Sequence, residues 1–185
     1  MAFFGIDGKP VLDRDSGAAR ITFRYDERDN RIKIAYFDTV GKPILHKILG
    51  AARLTSRYDE RGNRIEGAFL GIDGKPVLSK DISVARLTRR YDERGNLTEE
   101  AYFGIDGKPI LRKDNGVAGI TAHYDERGNW IEWTSFDTDG KPILSKDNGA
   151  ARITAHYDER GNLIEEAYFD TDGKDRKSTR LNSSH

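Results

Sequence analysis

The stretch YDERGN, Tyr58 to Asn63, decides how this chain is read. It returns at Tyr91, Tyr124 and Tyr157, and as YDERDN at Tyr25. Two carboxylates, an arginine and a tyrosine in six residues have the chemistry of a catalytic cluster. A catalytic set is normally present once, and this one occurs five times beside a glycine. The pattern fits a turn better. Asp at the start of a turn accepts hydrogen bonds from backbone N–H groups two residues on, and Gly supplies the positive φ that closes a short hairpin loop. The copy at Tyr25 has Asp29 in the glycine place, and Asp tolerates that backbone region.

Outward from the hexapeptide, the chain is periodic. Units of 33 residues cover 3–35, 36–68, 69–101, 102–134 and 135–167, with a partial sixth at 168–174. A second motif of similar design, FDTDGK or its variants FDTVGK and GIDGK, lies inside each unit. The turn glycines are Gly41, Gly62, Gly74, Gly95, Gly107, Gly128, Gly140, Gly161 and Gly173, at alternating intervals of 21 and 12 residues. Val40 replaces the Asp before the glycine of FDTVGK, so that carboxylate is dispensable. The flanks read as strands. Ile153, Ala155 and Tyr157 alternate with Arg152, Thr154 and His156, and Ile164, Glu166 and Tyr168 alternate with Glu165, Ala167 and Phe169. The KPIL after the second turn reads as a third, shorter strand opened by proline (Pro10, Pro43, Pro76, Pro109, Pro142), where a missing N–H costs little. SKDNGAA reads as a surface loop, with one helical turn around Ser145–Ala150 as the alternative. Ordering costs about 1.5 kcal/mol per residue, so one unit with its few apolar side chains needs stacked neighbours. The expected fold is all-β: tandem antiparallel β-hairpins on a 33-residue repeat, forming an elongated solenoid or β-spiral. Register should keep Ile and Tyr on one face.

Composition sets the outer limits. The chain has 185 residues, of which 36% are hydrophobic and 34% charged, with 31 basic residues against 31 acidic. That balance gives no strong field for nucleic acid or an anionic membrane, so neither is expected as a partner. Without cysteine, disulfides and thiolate metal sites are excluded. No apolar run is long enough for a membrane helix, and the first residues do not read as a signal peptide. Asp175–His185, DRKSTRLNSSH, matches the in-frame translation of a common short-read sequencing adapter. It is expected to be an artefactual, disordered tail, and the remainder a fragment of a longer gene, with uncapped ends prone to self-association.

Other candidate chemistry is thin. DTDG resembles the opening of a calcium loop without the later ligands. His123 and His156 occupy equivalent places and read as an exposed ladder facing Glu132 and Glu165. Arg20, Arg53, Arg86 and Arg152 form a row interrupted by Gly119, read as a solvated face. Phosphate-binding loops, nucleophile elbows and zinc spacings are missing from the sequence. No catalytic residue, metal ligand or cofactor is assigned, and the chain is not expected to be an enzyme. Trp130 and Trp133 break the repeat pattern and, three apart on a strand, should point to opposite faces. They and Phe103, Phe136 and Phe169 are the candidate ligand contacts.

The segment RYDERGNLTEEAYF resembles the YD repeats of the Rhs family, which share Tyr-Asp, two residues, Gly and an apolar strand. The 21-residue interval is also similar; the 12-residue interval departs from it. That resemblance implies a β-sheet scaffold, with activity elsewhere in the polypeptide. YFDTDGKPIL resembles the repeats of choline- and glucan-binding proteins, which implies an alternative role in binding cell wall or polysaccharide, with Phe103, Phe136 and Phe169 nearest to the aromatic positions. Either resemblance implies a surface or secreted location.

Overall fold

The computed structural model describes residues 1–180. Eleven strands make up its regular structure: β1 (Arg20–Tyr25), β2 (Arg31–Phe37), β3 (Arg53–Tyr58), β4 (Arg64–Leu70), β5 (Arg86–Tyr91), β6 (Leu97–Phe103), β7 (Gly119–Tyr124), β8 (Trp130–Phe136), β9 (Arg152–Tyr157), β10 (Leu163–Phe169) and β11 (Asp175–Arg180). They hydrogen-bond in chain order, and there is no helix among the described residues. The fold is all-β, a series of antiparallel hairpins on the 33-residue period. The chain divides into two compact units. One comprises Met1–Thr88 with Phe103–Lys108, and the other Arg89–Tyr102 with the chain from Pro109 onward.

Within the first unit, β1 and β2 form a long hairpin, pairing Arg20 with Phe37 through to Tyr25 with Arg31. β2 then meets β3 over only three pairs, Lys33–Thr55, Ile34–Leu54 and Ala35–Arg53. The same edge of β2 is shared with the KPIL segment, which reaches it through the Phe37–Pro43 bridge and the Ile44 N–H to Tyr36 carbonyl bond. The expected third strand is therefore a single bridge. Proline opens it, and the following repeat's strand takes the rest of the edge. The second unit repeats the scheme, with full hairpins β7–β8 and β9–β10 and a three-pair contact between β8 and β9.

The hairpins β1–β2, β3–β4, β7–β8 and β9–β10 each carry one irregularity near the turn, which the alternation in the sequence did not reveal. In β7–β8 the register runs Tyr124–Trp130 and then His123–Glu132, so Ile131 is an extra residue. Ile164 is its equivalent in β9–β10, Ile65 in β3–β4 and Ile32 in β1–β2. A bulge of this kind shifts the in–out alternation by one position.

The loop expected at the surface is exposed over Lys146–Gly149, but Ser145 and the alanine pair Ala150–Ala151 that bracket it are buried. It is one α-turn with no continuing helix: Gly50 N–H bonds to the His46 carbonyl and His46 N–H to the Ala51 carbonyl. Gly149 and Ser145 repeat the pattern, and Gly50 and Gly149 have φ near +70°. Ser83 holds the same place with φ 56°. Successive loops stack by a backbone bond, such as Lys47 N–H to Ser16 carbonyl and Lys146 N–H to Asn115 carbonyl. The paired small residues that follow (Ala18 and Ala19, Ala51 and Ala52, Val84 and Ala85, Val117 and Ala118, Ala150 and Ala151) are all buried. Ile21 and Ile153 pair across to Tyr36 and Tyr168, whereas Ile32, Ile65, Ile131 and Ile164 are the bulge residues. Most Ile and Tyr are only half-buried, and the most buried apolar positions are mainly alanine.

The end of the chain corrects one expectation. Asp175–Arg180 is ordered, as strand β11, paired with β10 from Phe169–Asp175 to Glu165–Arg180. Asp175 stands where other repeats have proline, so its N–H is available and Asp175–Arg180 pairs along the β10 edge. An open edge offers unpaired N–H and C=O groups to any extended segment. The remainder of the expected disordered tail, residues 181–185, lies outside the described residues.

Candidate functional site

The hexapeptide is a turn in every copy. In the second, Asp59 N–H bonds to the Asn63 carbonyl and Gly62 N–H to the Asp59 carbonyl. One Asp59 carboxylate oxygen accepts from the N–H groups of Arg61 (3.0 Å) and Asn63 (2.8 Å), and the other from the Asn63 side-chain amide (3.0 Å). Asp26, Asp92, Asp125 and Asp158 repeat this arrangement. The Asn side chain, helped by these backbone donors, holds all five carboxyls below the usual range. The flanking residues join neighbouring repeats. Arg28, Arg94 and Arg127 donate to the carbonyls of Glu60, Glu126 and Glu159 in the next turn. Tyr58 and Tyr124 hydroxyls donate back to the Arg31 and Leu97 carbonyls. The cluster that looked catalytic is thus engaged in shaping and joining turns.

The second motif uses the same chemistry. Asp137 accepts from Asp139 and Lys141 N–H groups. Where GIDG replaces FDTDG, the Asp two places later takes over, as Asp73 does for Lys75 N–H. These carboxylates also act on backbone, and no group of three or more metal-ligating side chains is assembled among the described residues. Every turn glycine named from the sequence has positive φ, and so does Gly8 in the first repeat.

The candidate ligand contacts separate into two faces. Phe103 and Phe169 lie under the guanidinium groups of Arg86 and Arg152, 4.1 and 4.3 Å from ring centre, and Phe136 pairs across to Gly119. The same stacking places Arg20 over Phe37 at 4.4 Å, so part of the arginine row is packed on aromatic rings. His123 and His156 are exposed on this face and pair across to Glu132 and Glu165.

Trp130 and Trp133 are on the other face, together. This corrects the expectation that they diverge: the extra residue Ile131 lies between them and restores a common side. With Tyr124, Asn148, Ile153 and Glu166 they line a concavity of about 360 Å³ in the second unit. Ala122 and Ala155, both buried, stand opposite Trp133 and Glu166 and leave the space open. The two adjacent tryptophans were visible in the sequence; the contribution of Glu166 from the next hairpin was not.

No family model matches this chain, and no curated protein sequence matches it. The likeness is to solved structures. The structure of the Photorhabdus luminescens Tc holotoxin pore, carrying a TccC3 mutation, matches 88% of this chain with a TM-score of 0.55 and 17% identity. A crystal structure of TcdB2-TccC3 without its hypervariable C-terminal region matches 89% with a TM-score of 0.42 and 13% identity. The chain spans 7% and 10% of those two chains. The first match is a likeness of fold, and it fits the Rhs-like β-repeat that the sequence resembles.

Proposed function

We propose that this chain is a structural repeat scaffold without catalytic activity, one stretch of a longer polypeptide. The observation that carries the reading is the use of the hexapeptide. Its five Asp carboxylates accept hydrogen bonds from their own turns, and Arg28, Arg94, Arg127, Tyr58 and Tyr124 tie one turn to the next. Groups engaged in this way build a surface by repetition. The fold likeness to a holotoxin pore, of which the match is a small part, supports a role in which extended β-structure frames functions located elsewhere.

Removing one whole repeat, residues 69–101, tests this directly. A scaffold built from interchangeable units should stay folded, with the β-type circular dichroism spectrum kept and the unfolding midpoint lowered. Collapse of the remaining repeats to an unfolded chain would oppose the scaffold reading. Retardation on immobilised glucan, lost on substitution of Trp130, Trp133 or the half-buried Phe103, Phe136 and Phe169, would replace it with polysaccharide binding.

A further inference from the structure

The row of side chains beside the bulge differs from hairpin to hairpin, and in the first three it holds a guanidinium. In β1–β2, Arg31 lies over the Phe23 ring at 5.6 Å. In β3–β4, the Arg64 guanidinium fills the space above Gly67, where a Cβ would sit 2.0 Å from its terminal nitrogen. In β5–β6, Arg89 Nε donates to Glu100 Oε2 at 3.0 Å, and Glu100 is buried. The last two hairpins contain no arginine in these places. Trp130 and Leu163 stand where Arg31 and Arg64 do, and Ala122 and Ala155 where Arg89 does.

Glu166 occupies the place of Glu100, with Ala155 across from it in place of the arginine. Among the described residues no lysine or arginine forms an ion pair with Glu166; its hydrogen bond is to the Tyr168 hydroxyl, whose titration it pushes upward together with burial. The carboxylate borders a concavity formed by two tryptophan rings and a tyrosine ring, with no cationic side chain in the lining. Aromatic faces attract cations, and a planar guanidinium both stacks on rings and pairs with a carboxylate.

We propose that the Trp130–Trp133–Glu166 concavity binds a guanidinium supplied from outside the chain, an arginine side chain in chemical class. A polyhydroxyl ligand suits it less. The Tyr124 hydroxyl is engaged with the Leu97 carbonyl at 3.0 Å, and the Asn148 side-chain oxygen accepts from Ala150 N–H at 3.0 Å. What remains is ring surface and one negative charge.

Trp130 and Trp133 are the two tryptophans of the whole chain, so tryptophan emission, excited selectively over the tyrosines, reports on this site alone. The full chain is titrated with N-acetyl-arginine methylamide, with its citrulline counterpart, whose neutral ureido group has nearly the same shape, and with maltoheptaose. The arginine probe should give a saturable change in emission. The citrulline probe, and the arginine probe on Glu166→Gln, should bind at least about tenfold more weakly, the loss expected for a charge-assisted hydrogen bond. Ala155→Arg recreates the Arg89–Glu100 pair and should abolish the response while circular dichroism is kept. A Gly-Arg-Gly peptide amide, compared with the free probe, distinguishes an arginine within a chain from a free guanidinium compound. No saturable response to the arginine probe, an equal response to citrulline, or saturation by the sugar alone would overturn the proposal. The citrulline comparison on the unaltered chain decides the matter if either variant fails to fold.

Discussion

The two ends of a repeat solve the same problem, reversing the chain, by opposite means. At the hexapeptide end the turn is exposed, and polar locks hold it: Asp59 on two N–H groups and on the Asn63 amide. At the other end the α-turn closed by Gly50 is followed by Ala51 and Ala52, which are 0% and 4% exposed. The hexapeptide is nearly invariant among the five copies, whereas the turn before the buried pair reads KDNG, LHKILG or SKDIS. Near-identity among copies therefore marks a local backbone requirement, while dense packing tolerates varied loop chemistry provided the small pair persists.

The comparison breaks most readily at the buried end. Ala51→Leu forces three extra carbons into a fully enclosed site and should cost about 1–3 kcal/mol, read as a lowered urea midpoint at unchanged slope. A cost near zero would mean that the loops do not pack as tightly as their burial indicates. At the exposed end, Gly62→Ala should cost about 1–2 kcal/mol, because φ is 84° while the added carbon would meet only Asn30 Oδ1, at an ordinary 3.6 Å. Gly62→Asp should cost less than Gly62→Ala, since Asp29 holds this place in the first repeat at φ 61°. The reverse ranking would show that space, rather than backbone conformation, limits the position.

Much of this organisation was legible in the sequence. The 33-residue period, the strands, both exposed turns and the role of Asp follow from Asp-x-x-Gly spacing and alternation, because those signals act within a few residues. The bulge was not legible. Ile32, Ile65, Ile131 and Ile164 look like ordinary members of an alternating strand, and the extra residue becomes apparent only against the partner strand's register. For that reason Trp130 and Trp133 were expected to diverge. SKDNGAA reads as a surface loop, and Lys146–Gly149 are exposed; its polar, glycine-bearing composition did not reveal that Ser145 and the alanine pair are buried. The Asn-Gly pair before two alanines was the available signal of a tight turn beneath stacked neighbours. Glu166 required the fold, since it comes 33 residues after Trp133, from the next hairpin.

Acid sharpens the contrast further. The Asp59 carboxyl titrates below its ordinary value chiefly because the Asn63 amide donates to the charged form. A lowered folded value means that the stabilisation is complete above the ordinary range near pH 4. It is lost as pH falls through the lowered value. Asn63→Ala should move the Asp59 titration, followed by carbon-13 NMR of the carboxyl, upward toward the ordinary range. The other four turns should keep their values. A titration that stays low in Asn63→Ala would assign the effect to the backbone donors of Arg61 and Asn63 instead.

The buried end has a titrating lock of its own, in one repeat. His46 stands where Ser79 and Ser145 do, and its Nδ1 accepts from the N–H groups of Ile48 at 3.2 Å and Leu49 at 3.3 Å. The ring also packs edge-on against Tyr36, 4.7 Å between centres. Burial lowers its titration below the usual histidine value, opposed by the charges of Asp13 and Asp81. The neutral ring is the accepting form, so its contribution is complete above about pH 6.5 and declines as pH falls through the lowered value. Protonation places a donor where Nδ1 had accepted, and the turn loses both bonds. The unfolding midpoint should therefore drop between pH 7.5 and pH 5, above the range in which the Asp locks titrate. His46→Ser should flatten that drop, because a hydroxyl accepts equally at either pH. An unchanged drop in His46→Ser would place the titration elsewhere and leave the buried end held by packing alone.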